Sequence, residues 1–416
     1  MPMTHDDDTI VILFNYGGGM RGLIPAHIMS RIELATGLPM SQMVDIFTGP
    51  STGTILNTAL NIPHPNHPDR PKYRARHMVK FYEREGSKIF PQDSFRAFRG
   101  LLHDFNNRTM KIGQLNNLFR HGHYDPSYLY KCLNELFGDH KLNDTLRSLV
   151  LPVYNIDGEQ LQMIDGADEN ATVHRKSNVP DEGGHAVWLR NIKLKSAHRP
   201  TPDVYLRDAV MASCAAPTFF PCHHFDVKYS DDRGRMFYSG IDGSLFDNPC
   251  ISYHGALRHY LPPDKKVIMI ALGTGHTLRS FKKEDWNQFG GLGVVDPSND
   301  LPLINIMFHA SESALLESFS MELGDNFFNM NKSLVDGRSK DYPSMQIDDA
   351  SPENLKKLHF FSEALIEENQ DKFDKICEIL AARGGQKKKA REIEKAKEKP
   401  ASILMENLKK RLFSDD

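Results

Sequence analysis

The first sixty residues alternate between short continuous apolar runs and segments with apolar residues every three or four positions. Thr9 to Asn15 is an unbroken apolar run rich in β-branched residues, which is typical of a strand buried on both faces. Arg21 to Thr36 has apolar residues at helical spacing and is followed by a glycine, which predicts a helix. A short strand is predicted at 43–47 and a helix at 54–60. This order predicts a parallel sheet layered by helices, with the chemistry at the carboxyl ends of the strands.

The pattern becomes mainly helical after residue 63 and returns to strands near residue 149. Helices are predicted at 72–85, 111–120, 126–137, 205–215, 302–320 and 353–382, and strands at 149–156, 185–190, 266–272 and one ending near 241. We therefore predict an α/β fold with a central, mostly parallel sheet sandwiched by helices. The expected organisation is a main domain over 9–335 with a helical insertion at about 63–140, a helical extension over 336–383 and a basic amphipathic tail over 384–416.

Charge is distributed unevenly along the chain. Residues 383–411 contain eleven Lys and Arg against four Glu, a net charge of +7, whereas the whole protein carries −3. The rest of the chain therefore carries −10, which argues against nucleic acid as its main partner. In the tail, Ile403, Leu404, Leu408 and Leu412 lie near helical spacing, so we expect a basic helix that contacts an anionic membrane surface. A solvated or partner-bound helix, or disorder, is the alternative.

Several classes of protein are disfavoured by what the sequence lacks. The N-terminus is acidic where a secretory signal is basic, and no apolar stretch approaches the ~18 residues of a membrane span. The five cysteines are scattered, without a C-x-x-C pair, and Cys222-His223-His224 has no second cluster of ligands. We expect a cytoplasmic protein with peripheral membrane contact, without a metal or cofactor, although secretion through other signals stays open.

Three motifs that follow predicted strands carry the candidate chemistry. Gly49-Pro-Ser-Thr-Gly53 has the G-x-S-x-G form, in which small flanking residues permit a sharp turn that exposes the hydroxyl of a nucleophile, here Ser51. The string Gly17–Gly22 lets backbone N–H groups converge on an oxyanion or a phosphate. Asp242 ends another predicted strand and offers a carboxylate to the serine. The expected oxyanion-stabilising residues are Gly17, Gly18, Gly19 and Arg21.

These motifs, in this order, resemble those of the patatin-like phospholipases, which carry G-G-G-x-R-G, G-x-S-x-G and D-G-[GA]. Matching secondary features are Ala212–Pro217 with Phe220-Pro221, Asn248-Pro249 and Leu272–Gly275. The resemblance covers roughly residues 9–330 and implies a patatin-like fold. It also implies hydrolysis of phospholipids or lysophospholipids through a Ser51–Asp242 dyad and an acyl-enzyme, without a cofactor. Whether a protein activator is needed stays open.

Three positions depart from that family pattern. Tyr16 stands where the family usually has Asp, Pro50 where it has a small or β-branched residue, and Ser244 where it has Gly or Ala. None of these changes removes a proposed catalytic group. Pro50 restricts the backbone next to the serine, so we expect the turn and the substrate entrance to differ from the family norm.

The residues leave three alternatives open. Gly17, Gly19 and Gly22 also satisfy G-x-G-x-x-G, with Asp45 near the offset of a ribose-binding acid, as in a dinucleotide-binding oxidoreductase. A Ser-His-Asp carboxylesterase would recruit His254 or His276, which follow Asp242 in the chain. A storage or interaction protein that keeps the fold without the activity is the third.

Overall fold

A mixed ten-stranded sheet organises the protein. The computed structural model describes residues 9–91, 124–157, 161–163, 173–174, 183–194, 201–230, 234–276, 283–284, 286–288, 294, 302–334 and 342–385. The strands in these ranges are β1 Thr9–Asn15, β2 Ile46–Thr48, β3 Pro63–His64, β4 His67–Pro71, β5 Ser148–Asn155, β6 Leu161–Met163, β7 Val173–His174, β8 His185–Asn191, β9 His223–Lys228, β10 Arg235–Asp242, β11 Lys266–Leu272 and β12 Phe327–Met330. All of these except the β3–β4 hairpin belong to the large sheet.

The centre of the sheet is parallel, and antiparallel strands extend it on one side. The order is β12-β11-β1-β2-β5-β10-β6-β7, with β8 paired to β5 and β9 paired to β10. The pairs among β12, β11, β1, β2 and β5 are parallel. The strands β8, β10, β9, β6 and β7 join in antiparallel pairs. The predicted parallel sheet is thus confirmed in its central part.

Helices cover both faces of this sheet. The helices are α1 Leu23–Thr36, α2 Met40–Met43, α3 Thr52–Ala59, α4 Ala75–Ile89, α5 Pro126–Phe137, α6 Leu206–Ser213, α7 Pro249–Ile251, α8 Pro302–Leu323, α9 Pro352–Glu368 and α10 over 370–385. Short 3-10 turns occur at Gly19–Gly22 and Gly243–Leu245, and α7 runs into a π-helix at Ser252–Leu257.

The burial of β1 explains the layered arrangement. Val11 and Leu13 are fully buried in the cluster that includes α1, α3, α4, α6 and α9. Ile12 and Phe14 point to the other face and pack with residues of the π-helix and α8. Because successive side chains of a strand alternate between faces, an apolar run without polar interruptions requires cover on both sides. The predicted sandwich of helices around the sheet is confirmed.

Several predicted boundaries differ from the structure. Strand β2 begins at Ile46 rather than at 43, because the preceding apolar residues Met40–Met43 form a helical turn. The segment expected as a helical insertion opens with the β3–β4 hairpin before α4 and α5, and the helix predicted at 111–120 lies outside the described residues. The helix predicted at 353–382 divides at Asn369, and its second part continues through Gly384 and Gly385. The domain boundaries stay predictions.

A partly buried ion pair fixes the end of α10 to the sheet. The Asp45 carboxylate accepts a hydrogen bond from the Val11 N–H at 2.9 Å and from the Arg383 guanidinium at 3.2 and 3.3 Å. Asp45 precedes β2 and Val11 lies near the start of β1, so this contact sits at the amino-terminal edge of the parallel strands. Helix α10 therefore ends on the edge opposite to the one from which the glycine motifs leave the sheet.

We expect Arg383→Ala to lower the free energy of unfolding by about 2 kcal/mol, because the partly buried Asp45 loses its cation but keeps a backbone donor. Urea unfolding followed by circular dichroism measures this change. Arg31→Ala is the matched control, since Arg31 forms a longer, more exposed ion pair with Glu363, and should change stability by less than about 0.5 kcal/mol. Equal effects of the two substitutions would contradict the anchoring role of Arg383.

Candidate active site

Ser51 sits in a strained turn between β2 and α3. Its backbone has φ 54° and ψ −127°, a conformation that residues other than glycine rarely adopt. The Ser51 carbonyl accepts hydrogen bonds from the N–H groups of Thr54 and Ile55, at 2.8 and 3.3 Å, which start α3. The side chain is therefore presented at the amino end of a helix, with the residue 9 % exposed. This is the geometry of a nucleophile elbow.

Glycine is required on both sides of the serine because the turn lies directly on the end of β1. A Cβ atom at Gly49 or at Gly53 would overlap the carbonyl oxygen of Asn15. Gly49 in addition has φ 130°, which a side chain would strain. Pro50 fits the turn, since its carbonyl accepts a hydrogen bond from the Gly53 N–H at 2.9 Å. A departure of the substrate entrance from the family norm stays a prediction.

Buried amides lock this turn to the two strands. The Asn15 side-chain amide donates to Asn57 Oδ1 at 2.7 Å, and the Asn57 amide donates to the Thr48 carbonyl at 2.7 Å. All three residues are fully buried. The ends of β1 and β2 and the helix α3 are thus joined by hydrogen bonds that water cannot replace.

The structure brings Asp242 to Ser51. Asp242 is the last residue of β10, is 1 % exposed, and accepts a hydrogen bond from the Ser244 N–H at 2.8 Å. Burial raises the pKa of its carboxyl to about 6, and the donated Ser244 N–H and the nearby Ser51 side chain partly oppose that rise. The pair therefore combines a serine hydroxyl with a carboxylate that is a stronger base than a solvated aspartate.

The glycine loop lies over the serine. A Cβ atom at Gly17 would come within 3.0 Å of Ser51 Cβ and overlap the Ser244 side chain, so only glycine fits this approach. Thr274 Oγ1 donates a hydrogen bond to the Gly17 carbonyl at 2.7 Å, which fixes the orientation of that peptide. The N–H groups of Gly17, Gly18 and Gly19 make no hydrogen bond to any residue that the structure describes. They are available to a bound oxyanion.

Arg21 adds a buried positive charge next to the loop. It lies on the Gly19–Gly22 turn, is 7 % exposed, and its Nε and Nη1 atoms find no hydrogen-bond acceptor among the described residues. Burial lowers the pKa of the guanidinium to about 10, so it stays protonated at neutral pH. Because an uncompensated buried charge is unfavourable, this environment favours an anionic group nearby.

The end of α6 holds the backbones of both candidate residues. The Ser51 N–H donates to Ser213 Oγ at 3.3 Å, and the Ser213 hydroxyl donates to the Pro152 carbonyl at 2.6 Å. The Asp242 N–H donates to the Ala215 carbonyl at 3.0 Å. Ser213 is fully buried. The sequence indicated this segment only as a secondary family feature; its positioning role becomes visible in three dimensions.

The residues of the alternative sites lie elsewhere. His254 forms an ion pair with Glu322 at 2.9 Å, and its ring packs on Phe319 of α8. His276 makes backbone hydrogen bonds to the 332–334 segment. Asp45 is held by Arg383 at the opposite edge of the sheet, so it does not complete a dinucleotide site with the glycine loop. The geometry does not favour the carboxylesterase triad or the oxidoreductase.

The described residues also bear on metal binding and on membrane crossing. No group of three or more His, Cys, Asp or Glu side chains in the described ranges is arranged to hold a metal ion. The ring nitrogens of His223 and His224 contact Asp208 and Ser239, at 3.1 and 3.2 Å. None of the described helices combines the length and the apolar character needed to cross a bilayer.

Comparisons with known proteins concern the family to which the sequence is similar. A family model described as patatin-like phospholipase matches residues 16–253, which contain all three motifs. Patatin-like protein 2 of Oryza sativa subsp. indica is 24% identical over 394 residues, covering 88% of this chain and 85% of the relative. Patatin-like protein 2 of Arabidopsis thaliana is 26% identical, and the match covers 76% of this chain and 70% of the relative. Patatin-T5 of Solanum tuberosum is 22% identical, and the match covers 88% of this chain and 86% of the relative.

We expect Ser213→Ala to slow the reaction of Ser51 with a fluorophosphonate probe by about tenfold to a hundredfold, because the nucleophile loses a group that fixes its backbone. The rate of probe labelling measures this effect. The matched control is Ser362→Ala, which removes another fully buried serine hydroxyl that donates to a carbonyl, at 2.7 Å in α9.

Both substitutions should lower the free energy of unfolding by a similar 1–2 kcal/mol or so, yet only Ser213→Ala should slow labelling. Equal labelling rates in the two variants would remove the positioning role of Ser213.

Proposed function

The chain belongs to the patatin-like phospholipase family, and on that premise we propose that it is a serine-dependent lipid acyl hydrolase of the phospholipase A or lysophospholipase type. Ser51 is the proposed nucleophile and Asp242 the proposed base. The observation that carries the proposal is the placement of Ser51 beside Ser244 and the buried Asp242 carboxylate, beneath a loop whose N–H groups have no acceptor among the described residues. These three elements are what acyl transfer requires.

The proposed first step is proton transfer and attack. Asp242 takes the proton of the Ser51 hydroxyl while the serine oxygen forms a bond to the ester carbonyl carbon. The carbonyl π electrons move to oxygen, and the N–H groups of Gly17, Gly18 and Gly19 donate hydrogen bonds to that oxyanion. Because burial raises the pKa of Asp242 to about 6, its carboxylate is a better base than free aspartate and is still mostly ionised at pH 7 to 8.

The proposed second half returns the enzyme to its starting state. When the oxyanion collapses, the bond to the leaving alcohol breaks and Asp242 gives that oxygen the proton it took. A water molecule then attacks the acyl-enzyme with Asp242 as base, and a free fatty acid leaves while Ser51 regains its proton. An oxyanion forms twice, when Ser51 attacks the ester and when water attacks the acyl-enzyme. The buried positive charge of Arg21 stabilises both oxyanions through its electrostatic field.

The lipid class of the proposed substrate follows from the family. Peripheral membrane contact is part of the proposal, since a bilayer is where such a substrate resides. The basic tail over 384–416 contributes to that contact in the proposal, on the grounds of its net positive charge and its apolar spacing.

We expect Ser51→Ala and Asp242→Asn each to lower the release of fatty acid from defined phospholipids by at least about 10³-fold, because each removes one half of the dyad. Mass spectrometry of the products measures the rate and gives the acyl position. His254→Ala is the control and should retain activity, since His254 is engaged by Glu322. Loss of activity in His254→Ala with retention in Asp242→Asn would overturn the dyad.

The raised pKa of Asp242 also predicts how pH affects activity and stability. Activity requires the carboxylate, so it should rise as pH increases through about 6. The folded state binds this proton more tightly than the unfolded state, whose pKa is near 3.8. The contribution of Asp242 to stability is thus complete below pH 3.8 and is lost as pH rises through about 6, at a cost of about 3 kcal/mol.

Asp242→Asn should therefore be inactive yet unfold at higher urea concentration than the wild type at pH 8, with a smaller difference near pH 4. The control is Asp247→Asn, because burial raises the pKa of Asp247 to about 7 and Ser252 donates to its carboxylate at 2.9 and 3.0 Å. An activity profile whose midpoint near pH 6 disappears in Asp247→Asn would assign the titration to Asp247 instead.

A further inference from the structure

A basic segment interrupts the otherwise acidic body of the protein. Residues 70–89 contain seven Lys and Arg against two Glu, a net charge of +5. The chain outside 383–411 carries −10, so this segment is opposite in sign to its surroundings. Its cations are Arg70, Lys72, Arg74, Arg76, Lys80, Arg84 and Lys88.

Four of these cations form a stripe along α4. Arg76, Lys80, Arg84 and Lys88 are spaced by four residues and are all exposed. Side chains at this spacing are neighbours on a helix, and like charges there destabilise it by ~0.2–0.5 kcal/mol per pair. The stripe is thus unfavourable for the isolated protein and becomes favourable when an anionic surface covers it.

Few acidic side chains of the described residues neutralise the positive charges of the stripe. Among its four members, only Lys88 has an ion pair with a residue that the structure describes, to Glu85 at 3.0 Å. Some other exposed cations do form ion pairs, for example Arg235 with Asp226 at 2.8 Å and Lys131 with Glu135 at 3.9 Å. The field of the stripe therefore extends into solvent.

The opposite face of α4 rests on the active site. The Tyr82 hydroxyl forms a hydrogen bond with Thr52 Oγ1, next to the proposed nucleophile. A Cβ atom at Gly86 would overlap the end of the Met20 side chain, so α4 packs closely on the turn that follows the glycine loop. The stripe thus lies about one helix diameter, ~10 Å, beyond the elbow.

Apolar side chains accompany the cations. A groove of about 280 Å³ runs between α4 and α5, and Tyr73, Phe81 and Leu136 line it beside Lys80 and Arg84. Glu85, the partner of Lys88, and Glu135, the partner of Lys131, also line it. Aromatic rings next to Lys and Arg side chains suit the boundary between headgroups and acyl chains. The groove and the stripe therefore form one continuous surface with a basic and an apolar part.

We propose that the basic stripe Arg76, Lys80, Arg84 and Lys88 of α4 is the surface that docks the protein onto an anionic lipid bilayer. This inference rests on the proposed lipid hydrolase function, since the bilayer presents the substrate. Each cation near such a surface adds about 1 kcal/mol of attraction. The tail starts at the opposite edge of the sheet, held by Arg383, so of the two basic regions the stripe adjoins the nucleophile.

The test compares two full-length variants with the same change in net charge. One reverses the stripe with Arg76→Glu, Lys80→Glu and Arg84→Glu. The control reverses three exposed cations on other elements with Arg258→Glu, Lys266→Glu and Lys375→Glu. Co-sedimentation measures binding to phosphatidylcholine vesicles with and without phosphatidylserine, and a dispersed short-chain ester measures the hydrolytic activity independently of any bilayer.

The stripe variant should bind phosphatidylserine-containing vesicles at least about tenfold more weakly than the wild type, with unchanged hydrolysis of the dispersed ester. The control variant should lose much less binding. Equal losses in both variants, or wild-type vesicle binding by the stripe variant, would overturn the proposal. So would a wild type that binds an acidic protein but no vesicle.

Absence of ester hydrolysis in a wild type whose vesicle binding depends on the stripe would instead refute the hydrolase function and leave the docking surface standing.

A deletion of residues 386–416 separates the stripe from the tail while keeping Arg383 and Gly384 in place. If the stripe is the docking surface, the truncated protein retains most of its affinity for phosphatidylserine-containing vesicles. Loss of nearly all binding on truncation, with none on stripe reversal, would assign docking to the tail.

Discussion

The close approach of the serine turn to the carbonyl of Asn15 is the constraint on which the rest of the site depends. No side chain fits at Gly49 or Gly53, because a Cβ there would overlap this oxygen. The chain must therefore reverse within a few residues, and the strain falls on Ser51 at φ 54°. The hydrogen bonds of Asn57 and Ser213 hold the strained turn in place. A looser turn would leave the serine without a fixed relation to Asp242.

The site concentrates charges that a stable core would normally exclude. Less than a tenth of the surface is exposed in each of Asp242, Asp247 and Arg21. Burial raises the pKa of the two carboxyls and lowers that of the guanidinium, so it favours the neutral form of each group. Asp247 is satisfied by Ser252, which also contacts Thr48 of β2 at 2.9 Å. The polar interior thus continues from the proposed base to the strand that leads into the serine turn. Stability and reactivity are opposed here, because neutral side chains of the same shape would be buried at a lower cost in free energy than these charged groups.

Local patterns predicted the elements and the motifs but not the contacts among distant polar residues. Strand β11 was predicted with its observed bounds, and the start of α1 within two residues, because apolar periodicity and a following glycine act locally. Strand β2 was predicted three residues early, since Met43 and Val44 look like strand residues although Met40–Met43 forms a helical turn. Asp45 resembled a ribose-binding acid through its offset from the glycine loop, whereas it lies at the amino-terminal edge of the sheet.

Ser213 and Thr274 lie in segments that match family features, but nothing local predicts their contacts, because their partners are more than sixty residues away in the chain. The stripe on α4 was visible in principle, since its four-residue spacing is written in the sequence, but only the packing of Tyr82 reveals which face is outside.

The ion pair between Asp45 and Arg383 has a consequence for how the protein is handled. Strand β1, with its seven residues, spans ~23 Å between the edge where α10 ends and the edge that carries Ser51. A reporter or affinity label fused after residue 385 would consequently emerge on the far side of the sheet from the serine. In a protein shortened to residue 385, a label at the new terminus suits surface immobilisation, because the edge that carries Ser51 would then face the bulk solution.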